Sequence, residues 1–158
     1  MKPDNYFYDK INDIYISTEG GIDYIDESEK YITGILKKES DIKGYTVSLQ
    51  KYIKDWPSRY HLSYVRTNLL EAIKELFTST WNVLEIGAGI GALTPWLCEN
   101  FKYIDAIEGT MQRAKALRIR TRQFRNLKIF VGDVLKTEFK KKYDLITLIG
   151  VLEYVPYY

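Results

Sequence analysis

Cysteine and histidine are nearly missing from this sequence: Cys98 and His61 stand alone among 158 residues. A single cysteine cannot close an internal disulfide, which suits a reducing compartment. With one residue of each kind there is no Cys/His spacing for a zinc site, so no metal is expected. No apolar run approaches the ~20 residues of a membrane span. The opening Met1-Lys2-Pro3-Asp4-Asn5-Tyr6 has no apolar stretch of the secretory kind, so a cytoplasmic protein without membrane contact is expected. Phosphate-loop lysines, serine nucleophile elbows, internal repeats and low-complexity tracts are also lacking. Neither charge dominates: 23 basic against 21 acidic side chains give +2, too balanced to argue by itself for nucleic acid or membrane.

What is there describes one globular domain with a modest extension. A hydrophobic share of 46% is ordinary for a folded chain. Residues 1–60 carry 11 acidic and 9 basic side chains, a net of −2, and the remainder carries +4. The division is therefore drawn between an extension, 1–60, and a domain, 61–158. In the extension, Ile14, Ile16, Ile22 and Ile25 suggest short strands, and Glu19-Gly20-Gly21 supplies the turn of a hairpin. A helix is predicted from Asp26, with Ile32, Ile35 and Leu36 as its apolar stripe and Lys37-Lys38 at its end. Leu49, Tyr52 and Ile53 suit one short helix. Pro57 predicts an extended or turned junction over Asp55–Ser63. Ser63 then caps an amphipathic helix carrying Val65, Leu69, Leu70, Ile73 and Phe77.

Beyond it strand and helix alternate. Strands are predicted over 82–86, 103–107, 127–131 and 144–149, with helices over 91–100 and 110–124 and a short crossover over 134–142. Such alternation gives an α/β, Rossmann-like, doubly wound parallel sheet, here with strands one to four, behind an N-terminal α+β extension. The stretch 111–125 holds Arg113, Lys115, Arg118, Arg120, Arg122 and Arg125 and no acidic residue. It reads as a solvated outer face, or as a surface for an anionic partner. Cys98 falls on the helix after the first strand, a packing position.

Asn82–Leu93 concentrates the chemistry. Val83, Leu84 and Ile86 suit a strand covered on both faces. Gly87, Gly89 and Gly91 then clear a turn where a ligand can approach the backbone, ahead of a helix N-terminus. In a doubly wound sheet ligands bind beyond the carboxyl ends of the strands, and Glu108, Gly132-Asp133 and Gly150 all fall at such ends. Glu108 follows Gly87 by 21 positions, close to the spacing of about 20 for a carboxylate that takes ribose hydroxyls. Gly87, Gly89 and Ala92 also satisfy a dinucleotide pattern, which keeps an NAD-dependent oxidoreductase open. Glu85 separates the two. A carboxylate beside the turn repels a pyrophosphate and favours a ligand with an ammonium and a sulfonium.

The run Val83-Leu-Glu-Ile-Gly-Ala-Gly-Ile-Gly91 resembles motif I of the class I S-adenosylmethionine-dependent methyltransferases. Gly132-Asp133-Val134 resembles that family's adenine-holding segment, and Tyr143–Tyr154 its fourth strand and following loop. Asp55–Leu70 is similar to a segment of bacterial methyltransferases from surface-glycan clusters. The resemblance implies S-adenosylmethionine as cofactor and methyl transfer to an oxygen or nitrogen of an unidentified acceptor, with this chain supplying the cofactor-binding half. It further implies a cofactor-binding set of Glu85, Gly87, Ala88, Gly89, Gly91, Glu108, Gly109, Asp133, Val134 and Gly150. Glu85 would lie near the ammonium, the turn glycines along the methionine moiety, Glu108 on the ribose, Asp133 and Val134 on adenine, and Gly150 where the acceptor approaches. His61 is the candidate base, or else a structural residue covering the cofactor, and Trp56 and Tyr60 would close over the cofactor or pack the extension. Family members continue past the fourth strand, so Leu145–Ile149 is expected as an open sheet edge. Either the chain is a fragment or a second copy covers that edge by self-association. A non-catalytic cofactor- or partner-binding module is the remaining alternative.

Overall fold

Strand alternation sorts the sheet residues onto two covered faces. In β3 (Asn82–Ile86), Val83 points to one side and Leu84 to the other; Ile104 and Ile107 do the same in β4 (Tyr103–Glu108), and Ile129 and Phe130 in β5 (Leu127–Val131). The first face packs on α4 (Thr94–Asn100) and α5 (Met111–Arg120) through Trp96, Leu97, Ala114 and Leu117. The second carries Tyr6, Phe130, Phe139 and Tyr143, whose rings meet largely edge to face. Burial on both sides is what makes these strands read as near-continuous apolar runs. The computed structural model describes residues 2–22 and 28–152.

The described strands form one six-stranded sheet in the order β1-β2-β5-β4-β3-β6, with β1 as Tyr6–Asp9, β2 as Ile14–Ser17 and β6 as Leu145–Thr147. Only the β1–β2 pair is antiparallel. The α/β, Rossmann-like arrangement expected from the alternation is present. Nothing in the chain's periodicity announced that the N-terminal hairpin would join the same sheet: β2 pairs in parallel with β5, Tyr15 opposite Phe130 and Ile16 opposite Val131. Tyr15 also stacks on Phe130, with ring centroids 5.1 Å apart. At the opposite side β6 pairs with β3 and, among the described residues, carries no further strand.

The hairpin turns earlier than Glu19–Gly21. The reversal falls at Lys10–Asp13, where the Asp9 carboxylate accepts the N–H groups of Ile11 (2.9 Å) and Asn12 (3.3 Å) and Asp13 takes φ = 55°. Short polar side chains that bond their own backbone make such turns as well as glycine does. Ile25 and the helix start at Asp26 lie outside the described residues. From Ser28 the expected helix is present as α1 (Ser28–Lys38), with Ile32, Ile35 and Leu36 buried.

Pro57 does not break the chain but starts a helix, α2 (Trp56–Leu62). Asp55 caps it, accepting the Ser58 N–H at 2.9 Å, and proline is tolerated where a helix has no use for an N–H. The long amphipathic helix expected after Ser63 is instead a 3-10 turn (Tyr64–Thr67), the short α3 (Asn68–Ala72) and another turn (Lys74–Leu76). Val65, Leu69 and Ile73 face outward, so no continuous stripe is buried to hold one helix together. Strand four is also shorter than expected, ending at Thr147. Among the described residues no helix is long and apolar enough to cross a membrane.

Candidate functional site

Past Ile86 the backbone enters a turn in which Gly87, Gly89 and Gly91 all take positive φ (71°, 58° and 79°). The N–H groups of Gly87 and Ala88 both donate to the Ile107 carbonyl, at 2.9 and 3.1 Å, folding the turn back against the end of β4. Side chains are barred from two of the glycines by the protein itself. A methyl group on Gly91 would stand 2.6 Å from Leu117 Cδ1, and one on Gly87 would collide with Val151. Gly89 differs: the one atom within 4 Å of such a methyl is His61 Cε1, at 3.9 Å, so its missing side chain leaves open space.

Two carboxylates frame that space. Glu108, buried at the end of β4, accepts the Gly89 N–H on Oε2 (2.9 Å) and the Thr110 N–H on Oε1 (3.0 Å). It thereby ties the glycine turn to the start of α5, where the Thr110 hydroxyl accepts the Arg113 N–H. Glu85 lies beneath the turn and accepts the Thr94 hydroxyl at 2.6 Å. Burial pushes its carboxyl up to about 7, against the lowering pull of that hydrogen bond and of the Arg120 charge; Glu108 adds to the rise. The site therefore holds one carboxylate that is poised to ionise near neutrality.

The extension builds the opposite wall. Arg120, itself buried, donates Nη1 to the His61 carbonyl at 2.6 Å and so fixes α2 against α5. The His61 ring meets Tyr60 edge to face, and the Tyr60 hydroxyl donates to the Gly150 carbonyl at 3.4 Å. Nearer the N-terminus, Ile22 donates its N–H to the Gly109 carbonyl at 2.8 Å and lays its side chain over Gly109. Together these groups enclose a cavity of about 630 Å³, within the usual range for a small-molecule site.

The basic stretch after the second strand serves this assembly. Arg113 pairs with the fully buried Glu29 at 2.6 Å, and Arg118 donates to the Asp13 carbonyl at 3.1 Å. Arg122 donates to the Leu36 and Glu39 carbonyls at the end of α1, at 2.8 and 2.6 Å, where a helix terminus favours a cation. The arginines that read as a solvated face or an anion surface thus hold the N-terminal hairpin, α1 and α2 against α5.

Residues 84–158 match the family model described as a methyltransferase domain. The small-subunit ribosomal RNA methyltransferase A of Streptococcus mutans is 37% identical over 78 residues, covering 48% of this chain and 27% of that protein. Its counterpart in Streptococcus thermophilus is 36% identical over 98 residues, covering 58% and 34%. Among solved structures, a coclaurine N-methyltransferase bound to N-methylheliamine and S-adenosylhomocysteine superposes with a TM-score of 0.51 at 18% identity, over 75% of this chain and 40% of that one. The family match makes residues 84–158, just under half of the chain, similar to a methyltransferase domain. The chain spans about a third of the length of the curated relatives it matches.

Eight of the sequence-derived positions gather on one cavity: His61, Glu85, Gly87, Ala88, Gly89, Glu108, Gly109 and Gly150, with Trp56 and Tyr60 beside them. Gly91 stands behind the turn, against α5. Asp133 and Val134 are placed elsewhere. The Asp133 carboxylate accepts the Leu135 N–H at 2.9 Å, capping a 3-10 turn, and Val134 packs with the aromatic cluster on the second sheet face. Ile22, Arg66, Thr110 and Arg113 also line the cavity and were not singled out as site residues from sequence. Thr110 and Arg113 had a signal, as a helix cap and as part of the basic stretch; Ile22 and Arg66 had none beyond lying near turns. Cys98 is buried, and burial pushes its thiol well above the ordinary range, which leaves it a packing residue.

The residues present fit S-adenosylmethionine. The open space at Gly89 admits a ligand against the backbone, and Glu85 is a carboxylate suited to an ammonium or sulfonium. Glu108 Oε2, which accepts only the Gly89 N–H, keeps a lone pair for a hydroxyl, while Oε1 takes both the N–H and the hydroxyl of Thr110.

Proposed function

We propose that this chain binds S-adenosylmethionine in the cavity between the glycine turn and α2, and that the protein methylates an oxygen or nitrogen of an acceptor entering beside Gly150. The observation that carries the reading is the pair of buried carboxylates, Glu85 and Glu108, on the wall of a cavity floored by the open Gly89. A dinucleotide would bring two negative phosphates to that wall, and the repulsion argues against NAD. When bound, the cofactor supplies a methyl group on a positively charged sulfur. Glu108 would hold ribose hydroxyls while keeping the turn closed, and Glu85 would balance positive charge. His61 and Tyr60 would exclude water from one side. Holding two reactants in line is enough for much of the rate, so no strong base is required; His61 serves as cover, with its ring over Gly89.

The streptococcal relatives are named for ribosomal RNA. In this chain Lys115 and Arg125 stay exposed in the 111–125 stretch and are the cations there that would meet an anionic partner. A cytoplasmic location accords with this reading. At β6, where Ile146 is exposed, self-association through the open edge is a further proposal, tested by sedimentation of an Ile146→Lys variant, which should stay monomeric if the wild type does not.

Calorimetric titration of the purified chain with S-adenosylhomocysteine and, separately, with NAD tests the cofactor. Binding of the first alone is expected; binding of NAD alone would overturn the proposal.

A further inference from the structure

Two arginines line the cavity, Arg66 and Arg113, and the proposed binding mode uses neither charge; Arg113 is paired with Glu29. Arg66 lies in the 3-10 turn after α2. Its guanidinium carbon sits 3.7 Å from the centre of the Tyr60 ring, a stack that fixes the plane of the fork. Its Nε is buried and makes no hydrogen bond, and no carboxylate among the described residues pairs with it. Arg113, Arg118, Arg120 and Arg122 form a contrast, since each donates to a carbonyl or carboxylate of the chain. Gly150 makes room for the arrangement. A methyl group there would collide with the Tyr60 hydroxyl and stand 3.0 Å from Arg66 Nη2.

We propose that Arg66 is an anion subsite of the crevice, holding a carboxylate at the end of the cavity where Tyr60 meets Gly150. This rests on the methyltransferase reading and deepens it. An arginine fork donates two parallel hydrogen bonds to a carboxylate. The cavity then has acidic walls at Glu85 and Glu108 and a basic one at Arg66, complementary to a ligand carrying both charges. The carboxylate has two sources, the amino-acid end of the cofactor or an acid on the acceptor, and they separate experimentally.

The test is calorimetry on the full chain and on Arg66→Gln and Arg66→Lys variants. S-adenosylhomocysteine carries the amino-acid end, and 5′-methylthioadenosine shares its nucleoside and sulfur without it. If the cofactor supplies the carboxylate, Arg66→Gln weakens S-adenosylhomocysteine at least tenfold and leaves 5′-methylthioadenosine unchanged. If the acceptor supplies it, S-adenosylhomocysteine is unchanged, and benzoate binds the S-adenosylhomocysteine-saturated wild type but not the variant. Arg66→Lys keeps the charge without the fork and recovers part of either loss; it also stands in should Arg66→Gln melt early. Wild-type affinity for all three probes in Arg66→Gln overturns the subsite. Failure of the wild type to bind either nucleoside strikes the methyltransferase reading, and the subsite falls with it.

Discussion

The two walls of the cavity are built at very different distances along the chain. On the glycine-turn side, Glu108 reaches back 19 residues to Gly89 and Glu85 reaches forward nine to Thr94. On the extension side, Arg120 spans 59 residues to His61, Arg113 spans 84 to Glu29 and Arg118 spans 105 to Asp13. The first wall is a strand-turn-helix unit whose parts specify one another locally. The second exists only when arginines of the domain take hold of carbonyls and a carboxylate of the extension. A fold can thus write its cofactor turn locally and leave the opposite wall to a handful of long-range cations.

Cutting one of those cations should have the largest effect on stability. Arg113→Ala leaves Glu29 buried without its partner, a change that typically costs about 3–5 kcal/mol. Urea unfolding should lose that much, and limited proteolysis should cut within residues 1–55 before the domain. An unchanged melt would mean that the extension is held without the pair.

The glycines sharpen the difference within the turn itself. Gly91→Ala meets Leu117 at 2.6 Å with φ = 79° and is expected to lose about 2–3 kcal/mol of stability. Gly89→Ala has room, so its stability cost stays at about 1–2 kcal/mol, the left-handed backbone alone. Its methyl enters the ligand space, however, and S-adenosylhomocysteine affinity should fall more than in Gly91→Ala. Equal ranking in thermal melts and calorimetry would refute the distinction.

Glu108→Ala removes the acceptor of two backbone N–H groups as well as the proposed ribose ligand. Hydrogen bonds to a charged group are worth about 1.5–3 kcal/mol, so affinity should drop by roughly ten- to a hundredfold. Unaltered affinity would remove Glu108 from the site.

The smallest effect is a pH dependence. Folded Glu85 keeps its proton up to about 7, whereas an unfolded glutamate releases it near 4.5. Its protonated form therefore stabilises the fold fully below pH 4.5, and that contribution is lost as pH rises through 7. Glu85→Gln should flatten this part of the stability profile. In the wild type, affinity for S-adenosylhomocysteine should rise by up to about tenfold from pH 6 to pH 8, following ionised Glu85, while 5′-methylthioadenosine stays level.

Legibility in the sequence followed the same division. Strands 82–86 and 127–131, the glycine turn and the carboxylates at 85 and 108 were readable, because period and spacing act over a few residues. The hairpin's place beside β5 was not, since parallel pairing depends on residues 115 apart, Tyr15 and Phe130. The arginine stretch was readable only in part for a related reason: composition shows charge, not which carbonyl it will meet. Asp133 shows a different limit. Its position at a strand end suits a ligand, but its side chain bonds Leu135 two residues on, as short carboxylates often do.

The central claim is that both walls close on one ligand, S-adenosylmethionine or its product. Hydrogen–deuterium exchange with and without saturating S-adenosylhomocysteine tests it directly. Protection should appear together in residues 86–94, 107–113 and 56–66, with the basic tail of α5 unaffected. Protection restricted to the glycine turn, or elicited by NAD and not by S-adenosylhomocysteine, would contradict it.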